Sequence, residues 1–218
     1  RMNRNFQHLG VEVALASPER LATVSRYARC ITMEQILDTP LEETITPLPV
    51  LDMDSPASIL VSSGSTGEPK HVLWSHRALA ANAEEPTQRL LVTHSSRIFQ
   101  FSSYDFDVAT LETIIGLTHT ACLCIPSEAQ RLDGIAAAIN HFGANWAFIT
   151  PSTARLLRPQ DVPGLSTIVM GGENVLQSDV KRWKGFCAVR NWYGPAEFPA
   201  VTVYPADEPN WSSGVVAH

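Results

Sequence analysis

Ser58-Ile-Leu-Val-Ser-Ser-Gly-Ser-Thr-Gly-Glu-Pro-Lys70 opens apolar and closes on hydroxyls, glycines and a lysine. The run over 58–61 is predicted as a strand that feeds directly into a loop over 62–70. In that loop Gly64 and Gly67 let the backbone turn its N–H groups toward an anion. Ser62, Ser63, Ser65 and Thr66 add hydroxyl donors, and Lys70 adds a cation. Together these suit a triphosphate. The spacing is not that of a P-loop, because Glu68-Pro69-Lys70 follows Gly67. Nor is it a Gly-x-Ser-x-Gly nucleophile elbow. A polar surface turn would account for the glycines and serines, but less well for a dense hydroxyl run closed by Pro-Lys.

Working outward, strand and helix patterns alternate. A strand over 11–15 precedes a helix over 18–29, and 39–54 reads as a Pro-, Thr- and acid-rich surface connection. After the loop come a strand over 72–74 and a helix over 76–91 capped by Ser75. A strand over 98–101, a helix over 108–117 and a strand over 121–125 follow. Ser127 and Gln130 have capping-box spacing ahead of a helix over 129–141. A strand over 145–149 leads to a helix over 151–157 opened by Pro151. Then come a strand over 167–170 before Gly171-Gly172, a helix over 177–183 and a strand over 188–191. The expected fold is α/β, a largely parallel sheet with flanking helices, and ligands bind such sheets at the carboxyl ends of the strands.

Composition narrows the classes. The 218 residues are 44% hydrophobic and 17% charged, which is the balance of a folded domain. Formal charge is −6 with no Lys/Arg cluster, so neither nucleic acid nor an anionic membrane is an expected partner. No apolar run approaches a membrane span and no signal peptide is evident, which points to a cytoplasmic protein. Cys30, Cys122, Cys124 and Cys187 read as reduced structural thiols, Cys122 and Cys124 being too few for a zinc site. The polar start at Arg1 is that expected of a piece cut from something longer.

The first loop, with His76 after it, resembles the phosphate loop of adenylate-forming (AMP-binding) enzymes. Phe101-Ser-Ser-Tyr-Asp-Phe-Asp107 resembles that superfamily's Phe-Asp motif, and Asn191-Trp-Tyr-Gly-Pro-Ala-Glu197 its Asn-x-Tyr-Gly-Pro-Thr-Glu motif. Three motifs in the superfamily's order liken the whole chain, 1–218, to an internal part of one adenylation domain of a non-ribosomal peptide synthetase. The likeness lies in the large N-terminal subdomain, without the early segments or the C-terminal lid. Two departures stand out. His71 replaces a glycine, and Ala196 replaces a threonine whose hydroxyl would contact the α-phosphate.

The resemblance implies ATP-dependent activation of an amino acid as its adenylate, for loading onto phosphopantetheine of a carrier domain beside condensation domains in one chain. It assigns catalytic roles to Thr66, Lys70 and Glu197, with Glu197 holding Mg2+. It places ATP against Ser62, Ser63, Gly64, Ser65, Thr66, Gly67 and Lys70, against Gly171, Gly172 and Glu173, and against Asn191, Trp192, Tyr193, Gly194 and Glu197. Tyr193 offers a flat face for adenine and Asn191 an amide for its exocyclic amine. Asp107 would pair with the substrate ammonium. The side-chain pocket would take Val108, Leu111, Phe148 and Val169, then Gly171, Trp192, Ala200 and Val201. No charge appears among those eight, which favours an apolar substrate of small or medium size. Alone, residues 1–218 are expected to be weak or inactive. The alternatives are an acyl- or aryl-acid CoA ligase, disfavoured by Asp107, and an inactive nucleotide-binding module, suggested by Ala196. A serine hydrolase is more distant.

Overall fold

The structure is a computed structural model that describes residues 2–40, 47, 50–62, 70–84, 87–198 and 202–206. These fall into two compact units, one made of the described residues up to Leu51 together with Lys70, the other of the described residues 52–62 and those from His71 onward.

In the first unit, α1 (Met2–His8), β1 (Val13–Leu15), α2 (Pro18–Val24), β2 (Arg29–Ile31) and α3 (Met33–Asp38) follow in order, with β1 and β2 paired in parallel. The helix expected over 18–29 ends at Val24; residues 25–27 form a turn, and Arg29 opens β2, the partner of β1. Helix α3 was not expected, although Thr32 and Gln35 close a capping box at its start.

In the second unit, β3 (Pro56–Ser62) pairs with β4 (Lys70–Ser75, of which residues 71–75 belong to this unit), and α4 (His76–Glu84) follows with Ser75 Oγ accepting from Ala78 N at 3.2 Å. Next come α5 (Thr87–Leu90), β5 (Arg97–Phe99), α6 (Asp107–Thr118) and β6 (Cys122–Cys124). The helix expected over 129–141 is two helices, α7 (Glu128–Asp133) and α8 (Ile135–Phe142), because Gly134 leaves helical geometry at φ −146°. Then β7 (Trp146–Ile149), α9 (Pro151–Leu156), β8 (Thr167–Gly171), α10 (Gln177–Trp183), β9 (Ala188–Tyr193) and β10 (Thr202–Pro205) complete it.

Six strands form the main sheet in the order β10-β9-β8-β7-β5-β6, parallel from β6 through β9. β10 is an antiparallel edge strand that sequence reasoning missed, and its pairing carries β9 out to Tyr193. Successive residues point to opposite faces, so the sheet separates two cores. Phe99, Ala147, Ile149, Ile168 and Met170 pack with Ala138, Ala154, Val180 and Trp183 of α8, α9 and α10. Ile98, Trp146, Phe148 and Val169 pack with Leu79, Leu90, Leu111 and Ile115 of α4, α5 and α6. Every residue of β7 and β8 is buried, as both covered faces demand. The four cysteines are free thiols, Cys124 buried and Cys122 exposed on the edge strand β6.

Candidate active site

Four consecutive parallel strands end at one cavity of about 900 Å3. After β5 the wall is Phe101 to Val108; after β6 it includes Ile125, Glu128 and Arg131. Phe148, Thr150 and Thr153 come from β7 and the start of α9, and Gly172 and Glu173 follow β8. Asp105, Asp107, Glu128 and Glu173 face a single guanidinium, Arg131, among the lining residues. A ligand carrying a positive group is therefore favoured there.

Asp107 opens α6, and its own Oδ1 accepts from Val108 N at 2.8 Å. Burial raises the carboxyl above its ordinary range, the hydrogen bonds from Val108 and its own N–H oppose this, and the negative charge of Glu197 adds to the rise. A cation in the cavity would relieve that cost.

Behind Asp107 lies a polar network absent from the sequence reading. Gln100 Nε2 donates to Glu112 Oε2 at 3.1 Å and to Ser102 O at 2.7 Å. Arg131 Nη2 donates to Gln100 Oε1 at 2.5 Å, and its guanidinium lies 5.4 Å over the Tyr104 ring. Burial pushes Glu112 up to about 8, against the Gln100 and Ser102 hydrogen bonds and the Arg131 charge. Gln100 was a usable signal, since a polar residue at the end of a buried apolar strand needs partners.

Glu173 is committed to the scaffold. One of its carboxylate oxygens accepts from Ser152 N at 3.0 Å and from Ser152 Oγ, tying the loop after β8 to the first turn of α9. Gly171 admits no side chain, because a Cβ would lie 2.1 Å from Trp192 O and 3.0 Å from the Phe148 ring. Gly172 has φ +75°.

Asp107, Val108 and Phe148 line the cavity, whereas Leu111, Val169, Gly171 and Trp192 are buried behind its wall. Phe148 meets Trp192 edge-on with ring centroids 5.7 Å apart. Ala200 and Val201 lie outside the described residues, as do Ser63, Gly64, Ser65, Thr66 and Gly67. Ser62 ends β3 half-buried, and exposed Lys70 opens β4. Asn191 is half-buried on β9, while Tyr193, Gly194 and Glu197 are exposed. Residues 195–198 form a turn with Phe198 N donating to Pro195 O at 2.9 Å, and buried Trp74 donates its indole N–H to Ala196 O at 2.9 Å. Among the described residues no three His, Cys, Asp or Glu side chains gather to hold a metal ion. None of the helices there is long and apolar enough to cross a membrane.

Nonribosomal peptide synthetase 8 of Aspergillus fumigatus is 43% identical over 155 residues, 71% of this chain and 2% of that protein. Nonribosomal peptide synthetase 13 of Aspergillus fumigatus is 44% identical over 160 residues, 73% of this chain and 7% of that protein. The chain thus spans less than a tenth of these relatives. A crystal structure of the nonribosomal peptide synthetase FmoA3 in its AMPPNP-bound form superposes with a TM-score of 0.83 at 20% identity, covering 98% of this chain and 24% of that one. The Vibrio cholerae adenylation domain AlmE, in complex with glycyl-adenosine-5'-phosphate, gives 0.70 at 22% identity, covering 98% and 43%. Both share the α/β fold with its sheet between helices. The family of AMP-binding enzymes matches residues 7–217, a span that contains all three motifs, and the chain belongs to that family.

Proposed function

We propose that the chain forms the pocket-bearing part of an adenylation domain of a non-ribosomal peptide synthetase, and activates an amino acid with ATP. One observation carries the reading: Asp107 stands on the cavity wall at the carboxyl ends of the parallel strands and within the field of Glu197. A carboxylate for a substrate ammonium and a carboxylate for a metal–phosphate complex are thereby neighbours. The acidic cavity wall supports an ammonium-bearing substrate, and the Asn191–Glu197 motif supports the nucleotide.

In this reading a carboxylate oxygen of the amino acid attacks the α-phosphorus of ATP. The bond to the bridging oxygen breaks, pyrophosphate leaves, and an aminoacyl-adenylate remains. A phosphopantetheine thiol of a carrier domain then takes the aminoacyl group and releases AMP. The protein's work is positioning and charge stabilisation. Asp107 orients the ammonium, Tyr193 and Asn191 hold adenine, and Thr66 and Lys70, with Ser62, Ser63, Gly64, Ser65 and Gly67, hold the phosphates. Gly171, Gly172, Gly194 and Trp192 shape the nucleotide's surroundings, and Glu173 fixes the loop after β8. Mg2+ favours one or two carboxylates plus phosphate oxygens, which an exposed Glu197 on a defined turn fits. Phe148 backed by Trp192, Leu111 and Val169 favours a small or medium apolar side chain, with Ala200 and Val201 completing the pocket.

Amino-acid-dependent ATP–pyrophosphate exchange by the full-length protein tests the proposal. Exchange with aryl or fatty acids alone would make it a CoA ligase. Nucleotide binding without exchange under any substrate would make it the inactive module that Ala196 suggests.

A further inference from the structure

Glu197 is the second central residue of a turn whose first is Ala196. In such a turn the peptide joining the two central residues has two orientations, and the flipped one requires a positive φ at the second. Glu197 is not among the residues of positive φ, so the turn holds the unflipped form. What grips that peptide is Trp74. Its ring is 2% exposed in the core shared with Trp192 and Val203, and its Nε1–H donates to the Ala196 carbonyl, the oxygen of the peptide in question. The Ala196 side chain packs against the same core, where a threonine hydroxyl would be an extra polar atom. Trp74 lies on β4, so that strand is tied to the segment that carries Glu197.

We propose that Trp74 is a positioning residue for the Glu197 carboxylate: its indole N–H fixes the Ala196–Glu197 peptide and presents the carboxylate in one orientation to the divalent cation of the nucleotide. The inference rests on the reading of Glu197 as that cation's ligand. Removing one hydrogen bond that orients a ligand, while leaving the ring in place, weakens the cation site and spares amino-acid recognition at Asp107.

The test uses the full-length protein and Trp74→Phe, which keeps the ring and removes the N–H. The half-saturating free Mg2+ for exchange is expected to rise roughly three- to tenfold, with the amino-acid KM changed by less than about twofold. Mn2+ binding in the presence of AMPPNP, read from the free-ion electron paramagnetic resonance signal, is expected to weaken by the same factor. In a Glu197→Gln background Trp74→Phe should add nothing. An unchanged metal dependence, an equal effect on both substrates, or additivity with Glu197→Gln overturns the proposal. Should Trp74→Phe fail to fold, the wild-type indole N–H resonance decides. It is expected to resist hydrogen exchange and to shift with Mg–AMPPNP but not with amino acid alone; a resonance that ignores the metal complex overturns the idea. Absence of exchange by the wild type defeats the activation reading itself, whereas normal exchange indifferent to Trp74→Phe defeats only the role of Trp74.

Discussion

The ring of Phe148 stands edge-on to Trp192, 83° between their planes, with Phe148 on the cavity wall and Trp192 sealed behind it. Such a contact contributes about 0.5–1.5 kcal/mol beyond burial, so the wall is rigid rather than yielding. Phe148→Ala is expected to open the side-chain end and shift preference toward larger apolar amino acids by roughly 10- to 100-fold in relative kcat/KM. Exchange assays across a series of apolar side chains measure this. An unchanged preference would remove Phe148 from the pocket.

Asp107 should be felt by one substrate only. Asp107→Asn keeps the size of the side chain and removes its charge, so kcat/KM for the amino acid should fall at least roughly thirtyfold. Nucleotide affinity, measured calorimetrically with AMPPNP, should hardly change. Burial above all, with help from Glu197, raises the Asp107 carboxyl. The acid limb of kcat/KM, which reports the free enzyme, should therefore lie above the ordinary aspartate range, and the acid limb of kcat, which reports the enzyme with amino acid bound, should lie lower.

Glu112 predicts a stability slope of definite sign. Its folded value, about 8, exceeds that of an unfolded glutamate, so the folded state holds a proton that the unfolded state has released. Stability from this group is fully present below the unfolded value and declines as pH rises toward 8, by roughly 1.4 kcal/mol per pH unit at most. Glu112→Gln mimics the protonated form and should flatten the melting temperature between pH 5 and 8. A wild-type curve as flat as the variant's would refute the buried neutral carboxyl.

Gly171→Ala tests the close approach of β8 to β9. The added methyl would lie 2.1 Å from Trp192 O, a backbone atom that cannot swing away, so the paired strands must part. A cost of about 1–3 kcal/mol, or a fall of roughly 3–10 °C in Tm, is expected. Thermal melts decide it.

The alternation of strand and helix was legible in the sequence because β7 and residues 168–170 of β8 are short unbroken apolar runs. Asp107, Val108 and Phe148, which a motif resemblance singles out for substrate binding, are placed on the wall of one cavity. What escaped depended on tertiary partners. β10 is four residues whose strand character comes from pairing with β9. Gly134 falls inside the helix expected over 129–141, yet it separates α7 from α8 and sets Arg131 on the shorter first helix. The bond between Arg131 and Gln100 spans 31 positions, and no local periodicity encodes it.

The ladder from β6 through β9 is joined by backbone groups, while the cavity wall is built mostly from the loops and helix segments that follow β5, β6, β7 and β8. Recognition is thus separable from architecture. Side chains at the rim can be exchanged without shifting strand register, and one scaffold can be retuned to new substrates by a handful of replacements.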